Sequence, residues 1–160
     1  MAHGLRLLLD GHPGRRPRGH DRARRAGREP GAPPRGPAQP HREPQVFERG
    51  GYWYLTAAWD FCCQGVDSTY RTVVGRSTSP DGPFVDRDGV PMREGGGTVL
   101  LDDRGDQVGP GALDVLEDRG LLYGVHHYYD AATGGTIRMQ VREVEWEDGW
   151  PVFPAGPDEG

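Results

Sequence analysis

All fourteen aromatic residues of this 160-residue chain lie beyond Pro44. Residues 1–44 hold ten Arg against four acids, with eight Pro and seven Gly, whereas residues 45–160 hold nine Arg against twenty acids. The first stretch therefore carries about +6 and the second about −11, with His taken as neutral. A segment rich in Arg, Pro and Gly and devoid of aromatic side chains buries too little apolar surface to offset its chain entropy. Disorder is expected over 1–44, with helix at most near Leu5–Asp10, because prolines at 30, 33, 34, 37 and 40 forbid a long one. Three origins compete for this arm. It is a basic tail for nucleic acid or another polyanion, through clusters such as Arg15-Arg16 and Arg24-Arg25; or a solvated linker; or the product of a shifted reading frame or mis-set start. The last is favoured, since Arg, Pro, Gly, Ala and His are what GC-rich DNA yields out of frame and the chain has no Lys.

Several classes drop out on composition. No apolar run approaches the roughly 18 residues of a membrane span, and Leu5–Leu9 is too short for the apolar core of a secretory signal. Two Cys and six His, without zinc-finger spacing, make neither a metal finger nor a disulfide framework. A net charge of −5 argues against a dedicated nucleic-acid binder.

From Gln45 onward the pattern is that of sheet. Gln45–Phe47 and Tyr52–Trp59 flank Arg49-Gly50-Gly51 and read as a hairpin. Ser68–Arg76 is the next strand, stopped by the turn Ser79-Pro80-Asp81-Gly82-Pro83. Phe84–Val85, Gly97–Leu101, Ala112–Glu117, Leu121–Tyr129 and Thr136–Trp146 continue the series. Turns recur about every ten residues, and no helical period persists over three turns, so the fold class is all-β: sandwich, barrel or propeller. Seven or eight short strands amount to roughly two four-stranded propeller blades. Two blades leave open sheet edges, which favours self-association.

One run is distinctive: Tyr52-Trp53-Tyr54-Leu55, then Trp59-Asp60-Phe61-Cys62-Cys63-Gln64-Gly65-Val66-Asp67-Ser68-Thr69-Tyr70, then Val74-Gly75-Arg76-Ser77. It resembles glycoside hydrolase family 43, and within it the endo-1,5-α-L-arabinanases. The likeness continues through Gly82-Pro83-Phe84-Val85-Asp86, Glu94-Gly95-Gly96-Gly97-Thr98, Gly109-Pro110-Gly111, His127-Tyr128-Tyr129-Asp130 and Trp146-Glu147-Asp148-Gly149-Trp150-Pro151. It covers residues 43 to about 153, roughly two-thirds of the chain. The resemblance implies the C-terminal portion, about two blades over 45–154, of a five-bladed β-propeller, followed by a tail at 155–160. It implies inverting hydrolysis of α-1,5-arabinan, in which one carboxyl protonates the leaving oxygen and another, about 6.5–9.5 Å away, activates water. The family's base and an Asp that tunes the acid lie upstream of everything matched, so this chain is expected to be an inactive, truncated version. Endo-arabinanase, arabinofuranosidase and xylosidase are not separated, and export is implied by family habit alone.

The family acid sits in an Ile-Glu-Ala-Pro-like motif. Counting back from Tyr52 puts Pro44 on the family proline, so the strict Glu position falls on Arg42 and Glu43 comes one residue late. A one-residue slip in a strand turns a side chain to the opposite face. Glu43 is nevertheless the candidate general acid; the alternative is a solvated Glu at the end of the arm. Gly65, Ser68, Thr69, Tyr70 and His127 match family positions near the sugar and are candidate substrate contacts, against a plain turn, cross-strand pairing and a buried His as the alternatives. Trp53, Tyr54 and Trp59 share one strand, where one face is core and the other could stack on a furanose ring. Cys62 and Cys63 form either a vicinal disulfide or two free thiols, and sequence leaves both open. A His usually follows Gly-Pro-Gly in the family and is associated with an axial calcium or water; here Ala112 has no ligand atom, so no cofactor is expected. Asp114 and Asp130 read as turn and strand-end carboxylates. The rival functions are a non-catalytic carbohydrate-binding β module and polyanion binding through the arm.

Overall fold

The strand between Tyr52 and Trp59 and the strand after it are largely buried on both faces, which places them between two other layers. In the computed structural model, which describes residues 42–154, nine strands form three antiparallel sheets. β1 (Arg42–Arg49), β2 (Tyr52–Trp59), β3 (Arg71–Ser77) and β4 (Thr98–Leu101) pair in sequence order as one four-stranded blade. β5 (Gln107–Asp118), β6 (Leu121–Asp130) and β7 (Thr136–Glu143) make a second meander, and β8 (Glu145–Glu147) pairs with β9 (Trp150–Val152) as a hairpin. The register runs on past β7, since the Val144 N–H donates to the Leu122 carbonyl at 2.8 Å.

The core follows strand alternation. Ala57, Trp59 and Val73 face one way and are covered by Met92 and Phe84 from the long β3–β4 connection. Tyr54 and Val74 face the other way, against Trp150 and Trp146 of the hairpin. A third cluster of Leu101, Leu113, Leu122, Val144 and Phe153 joins the two meanders. Each fully buried aliphatic or aromatic side chain here contributes roughly 1.5–3 kcal/mol. Polar contacts fix how the sheets meet. The Gln45 side-chain amide accepts from the Val115 N–H at 2.6 Å and donates to the Val115 carbonyl at 3.1 Å, tying β1 to β5. The Tyr54 hydroxyl donates to the Gly149 carbonyl at 2.7 Å, and the Arg76 guanidinium lies 4.6 Å from the ring centres of both Tyr52 and Trp150.

The all-β expectation holds, but the strand expected at Phe84–Val85 is reduced to isolated bridges from Val85 to Arg76 and Pro91 within the β3–β4 connection, and the other differences lie at element ends. β1 begins at Arg42, three residues inside the stretch expected to be disordered; the rest of the arm (1–41) and the tail at 155–160 lie outside the described residues. Ser68–Tyr70 belong to a loop and not to β3: the Ser68 and Thr69 side chains bond back across that loop, and the Tyr70 hydroxyl reaches β1. β5 starts at Gln107, ahead of the expected Ala112, with register breaks between Val108 and Gly111 and between Gly111 and Asp114. Those bulges let a Gly-Pro-Gly segment sit inside a strand. Thr136–Trp146 is broken at Val144 into β7 and β8. On β7, Ile137, Met139 and Val141 are 64%, 73% and 55% exposed, so one face of this sheet is uncovered by any described residue. Among the described residues no helix is long and apolar enough to cross a membrane.

Candidate active site

β1 begins beside the end of β2, with Arg42 opposite Ala58, and the Asp60–Tyr70 loop leaves the sheet at that end. The loop is closed by its own polar groups. The Thr69 N–H donates to the Phe61 carbonyl at 3.0 Å, the Phe61 N–H to Thr69 Oγ1 at 3.3 Å, and the Gln64 N–H to Ser68 Oγ at 3.1 Å. A 3₁₀ turn at Gly65–Asp67 starts from Gly65 at φ 58°, a left-handed conformation that glycine adopts without penalty. At the loop base, Arg71 pairs with Asp60 at 3.0 Å with both side chains largely enclosed, and its guanidinium lies 5.7 Å from the Trp59 ring. Cys62 and Cys63 are joined as a vicinal disulfide. The Cys63 N–H donates to the Tyr129 hydroxyl at 3.1 Å, docking the loop on β6.

Glu43 is reached through a β-bulge. Arg42 stands opposite Ala58 and Gln45 opposite Thr56, so β1 spends one residue more than β2 over this interval. Glu43 sits at φ 51° within it. A bulge absorbs one residue and re-aims a side chain. The extra residue therefore does not turn Glu43 away: its carboxylate Oε2 accepts a hydrogen bond from the Tyr70 hydroxyl. Glu43 as a whole is exposed, while Tyr70 is 1% exposed. Burial, and then the hydrogen bond to the Glu43 carboxylate, push the Tyr70 phenol well above its usual range.

Tyr70 in turn stacks on His127, with ring centres 5.9 Å apart and planes 26° apart, and His127 meets Tyr129 edge-on at 6.0 Å. His127 is half-buried and pairs across the sheet with Gly111, where a side chain would overlap the Tyr70 ring.

Of the sequence-derived candidates, Glu43, Tyr70 and His127 come together. On the same loop Thr69 is exposed and Gly65 is half-buried. Ser68 is fully buried, its hydroxyl held by the loop backbone, so it and Tyr70 face the interior and not a polymer. Tyr54 and Trp59 are also core, on opposite faces of β2, Trp53 is half-buried, and the exposed Tyr52 carries the Arg76 guanidinium over its ring. Asp114 accepts from the Gln45 amide, and Asp130 pairs with Arg138 at 3.3 Å. Ala112 sits at φ 52° and its methyl side chain offers no donor atom, which does not fit the family's axial metal ligand. Three participants were missed from sequence: Tyr129, the Asp60–Arg71 pair, and Phe61, which is 56% exposed beside the disulfide. A lone Phe before two Cys carries no sequence mark of exposure.

The model of Glycosyl hydrolases family 43 matches residues 39–151. This chain belongs to that family. Among similar proteins, the extracellular endo-α-(1→5)-L-arabinanase 1 of Bacillus subtilis is 39% identical over 110 residues, 69% of this chain and 33% of the relative. The extracellular exo-α-(1→5)-L-arabinofuranosidase ArbA of Cellvibrio japonicus is 38% identical over 109 residues, 68% and 31% of the two chains. The solved Cellvibrio cellulosa α-L-arabinanase complexed with arabinohexaose superposes with a TM-score of 0.69 at 37% identity, over 73% of this chain and 37% of that one. The family 43 chain described here spans about a third of the length of these relatives. Its three sheets are a portion of the family's five-bladed propeller.

Proposed function

We propose that this family 43 chain carries the general-acid portion of an α-1,5-arabinan hydrolase. The observation behind this reading is the Glu43 carboxylate, bulged out of β1 and held at one oxygen by the buried Tyr70. In inverting hydrolysis the Glu43 carboxyl gives its proton to the departing glycosidic oxygen as the C–O bond breaks. Water, deprotonated by a second carboxylate, attacks the anomeric carbon from the opposite face. That second carboxylate is assigned to parts of the family fold beyond the matched third, so the 160-residue chain alone turns over no arabinan. Gly65, Thr69 and His127 are the candidate sugar contacts. Export is proposed from the extracellular relatives and agrees with an oxidised Cys62–Cys63 pair.

A second reading, a sugar-binding β module without catalysis, is favoured by one observation: Phe61 stands exposed beside the disulfide on a loop closed by its own hydrogen bonds. Isothermal titration of the chain with arabinohexaose tests what the two readings share. Saturable heat supports arabinan recognition, and a flat trace rejects both. Loss of that heat in Phe61→Ala with retention in Glu43→Gln favours the binding module.

A further inference from the structure

We infer that Tyr70 is the positioning residue of Glu43: its hydroxyl occupies Oε2 of the carboxyl and leaves Oε1 as the oxygen that carries the transferable proton. This rests on Glu43 being the acid, and goes beyond it by naming the group that decides which atom of Glu43 acts.

Three features converge on this role. Because Glu43 sits in a bulge at φ 51°, strand pairing alone does not fix where its side chain points, and a further contact has to do so. Tyr70 supplies that contact from an immobile base. It is 1% exposed, its ring is stacked on His127, and its flank lies where only a glycine, Gly111, leaves room. The hydrogen-bond direction is settled by chemistry. A carboxylate only accepts, and burial together with the adjacent Glu43 keeps the Tyr70 phenol protonated across the neutral range. Oε2 therefore accepts from Tyr70 in both protonation states of Glu43, and the exchangeable proton is confined to Oε1. The same bond excludes Tyr70 from stacking on a sugar, so its place in the family loop is that of a support beneath the site.

The test is carboxyl NMR of the full 160-residue chain with 13C-labelled glutamate, the Glu43 signal being assigned by its disappearance in Glu43→Gln. Tyr70→Phe keeps the ring and its stack on His127 and removes only the donor. The Glu43 midpoint is expected to rise by about half to one pH unit in that variant, because a hydrogen bond to the charged form is lost. An unchanged midpoint in a folded Tyr70→Phe chain overturns the inference. If Tyr70→Phe does not fold, the reciprocal measurement stands in its place: in Glu43→Gln the Tyr70 phenol, followed by 13C-tyrosine NMR, titrates at lower pH than in the parent, and no change overturns the inference. Neither readout uses arabinan. A flat calorimetric trace with arabinohexaose thus counts against the functional reading alone, and an unmoved midpoint against the role of Tyr70 alone.

Discussion

Gly111 lies so close to the ring of Tyr70 that a Cβ at this position would overlap ring carbons Cδ1 and Cε1. The relationship explains why a Gly-Pro-Gly segment lies near the start of β5: the missing side chain is the space in which Tyr70 reaches Glu43 and His127. Gly111→Ala forces the ring or the strand to move and is expected to cost about 1–3 kcal/mol, in line with overpacking of other well-filled sites. Urea unfolding measures it, and a loss below 0.5 kcal/mol (the size of an ordinary surface change, roughly ±0.5) contradicts the close approach.

A second prediction concerns the base of the loop. Arg71 and Asp60 pair at 3.0 Å with side chains only 6% and 13% exposed. Removing one partner of such a pair strands the other, so Arg71→Leu is expected to destabilise the chain by about 3–5 kcal/mol. The double variant Arg71→Leu/Asp60→Leu should recover part of that loss. A loss in the double variant equal to the sum of the Arg71→Leu and Asp60→Leu losses would show that the pair is not coupled.

The alkaline limb of stability carries a signature of two phenols, Tyr54 and Tyr70. Burial raises both Tyr54 and Tyr70, and the Glu43 hydrogen bond adds to the effect on Tyr70. Above a pH of about 10 the unfolded chain loses phenolic protons that the native chain keeps, so stability falls as pH rises; below that pH the contribution is fully present. Unfolding measured between pH 8 and 11.5 should show this fall, and Tyr70→Phe should flatten it while leaving the part due to Tyr54. An identical slope in the variant contradicts the burial of Tyr70.

Much of this was legible in the residues. Tyr52–Trp59 and Leu121–Tyr129 appear as strands within one residue, because aromatic and β-branched runs bounded by glycine turns admit little else. That β2 and β3 are covered on both faces was not legible: the sequence leaves one face of β2 open to stack on a sugar, and in the fold both are buried. Glu43, Tyr70 and His127 are candidates that the family resemblance offers, and the fold brings the three side chains together. The bulge was not legible. An extra residue before Pro44 reads as a slipped register, and only the pairing of Arg42 with Ala58 and Gln45 with Thr56 shows that the strand absorbs it. The interior placement of Ser68 and Tyr70 was equally hidden, since Ser-Thr-Tyr alternates as well in a closed loop as along a strand.

The vicinal disulfide gives a fourth prediction. Iodoacetamide should label no thiol in the native chain and both after reduction, since the described residues hold no free cysteine. Adjacent cysteines close so small a ring that the unfolded chain is little constrained, so Cys62→Ser/Cys63→Ser should cost only about 1 kcal/mol. A several-fold larger loss would mean that the pair anchors the loop through contacts other than the Cys63 N–H bond to Tyr129.

The central claim is that Glu43 supplies one carboxyl of an inverting pair and that the other lies outside this chain. The most direct measurement is release of arabino-oligosaccharides from linear arabinan by the purified 160-residue protein. The expected result is no release above the blank, because a single carboxyl cannot both protonate the leaving oxygen and activate water on the opposite face. Steady release of arabino-oligosaccharides would contradict the account, and its persistence in Glu43→Gln would remove Glu43 from the chemistry altogether.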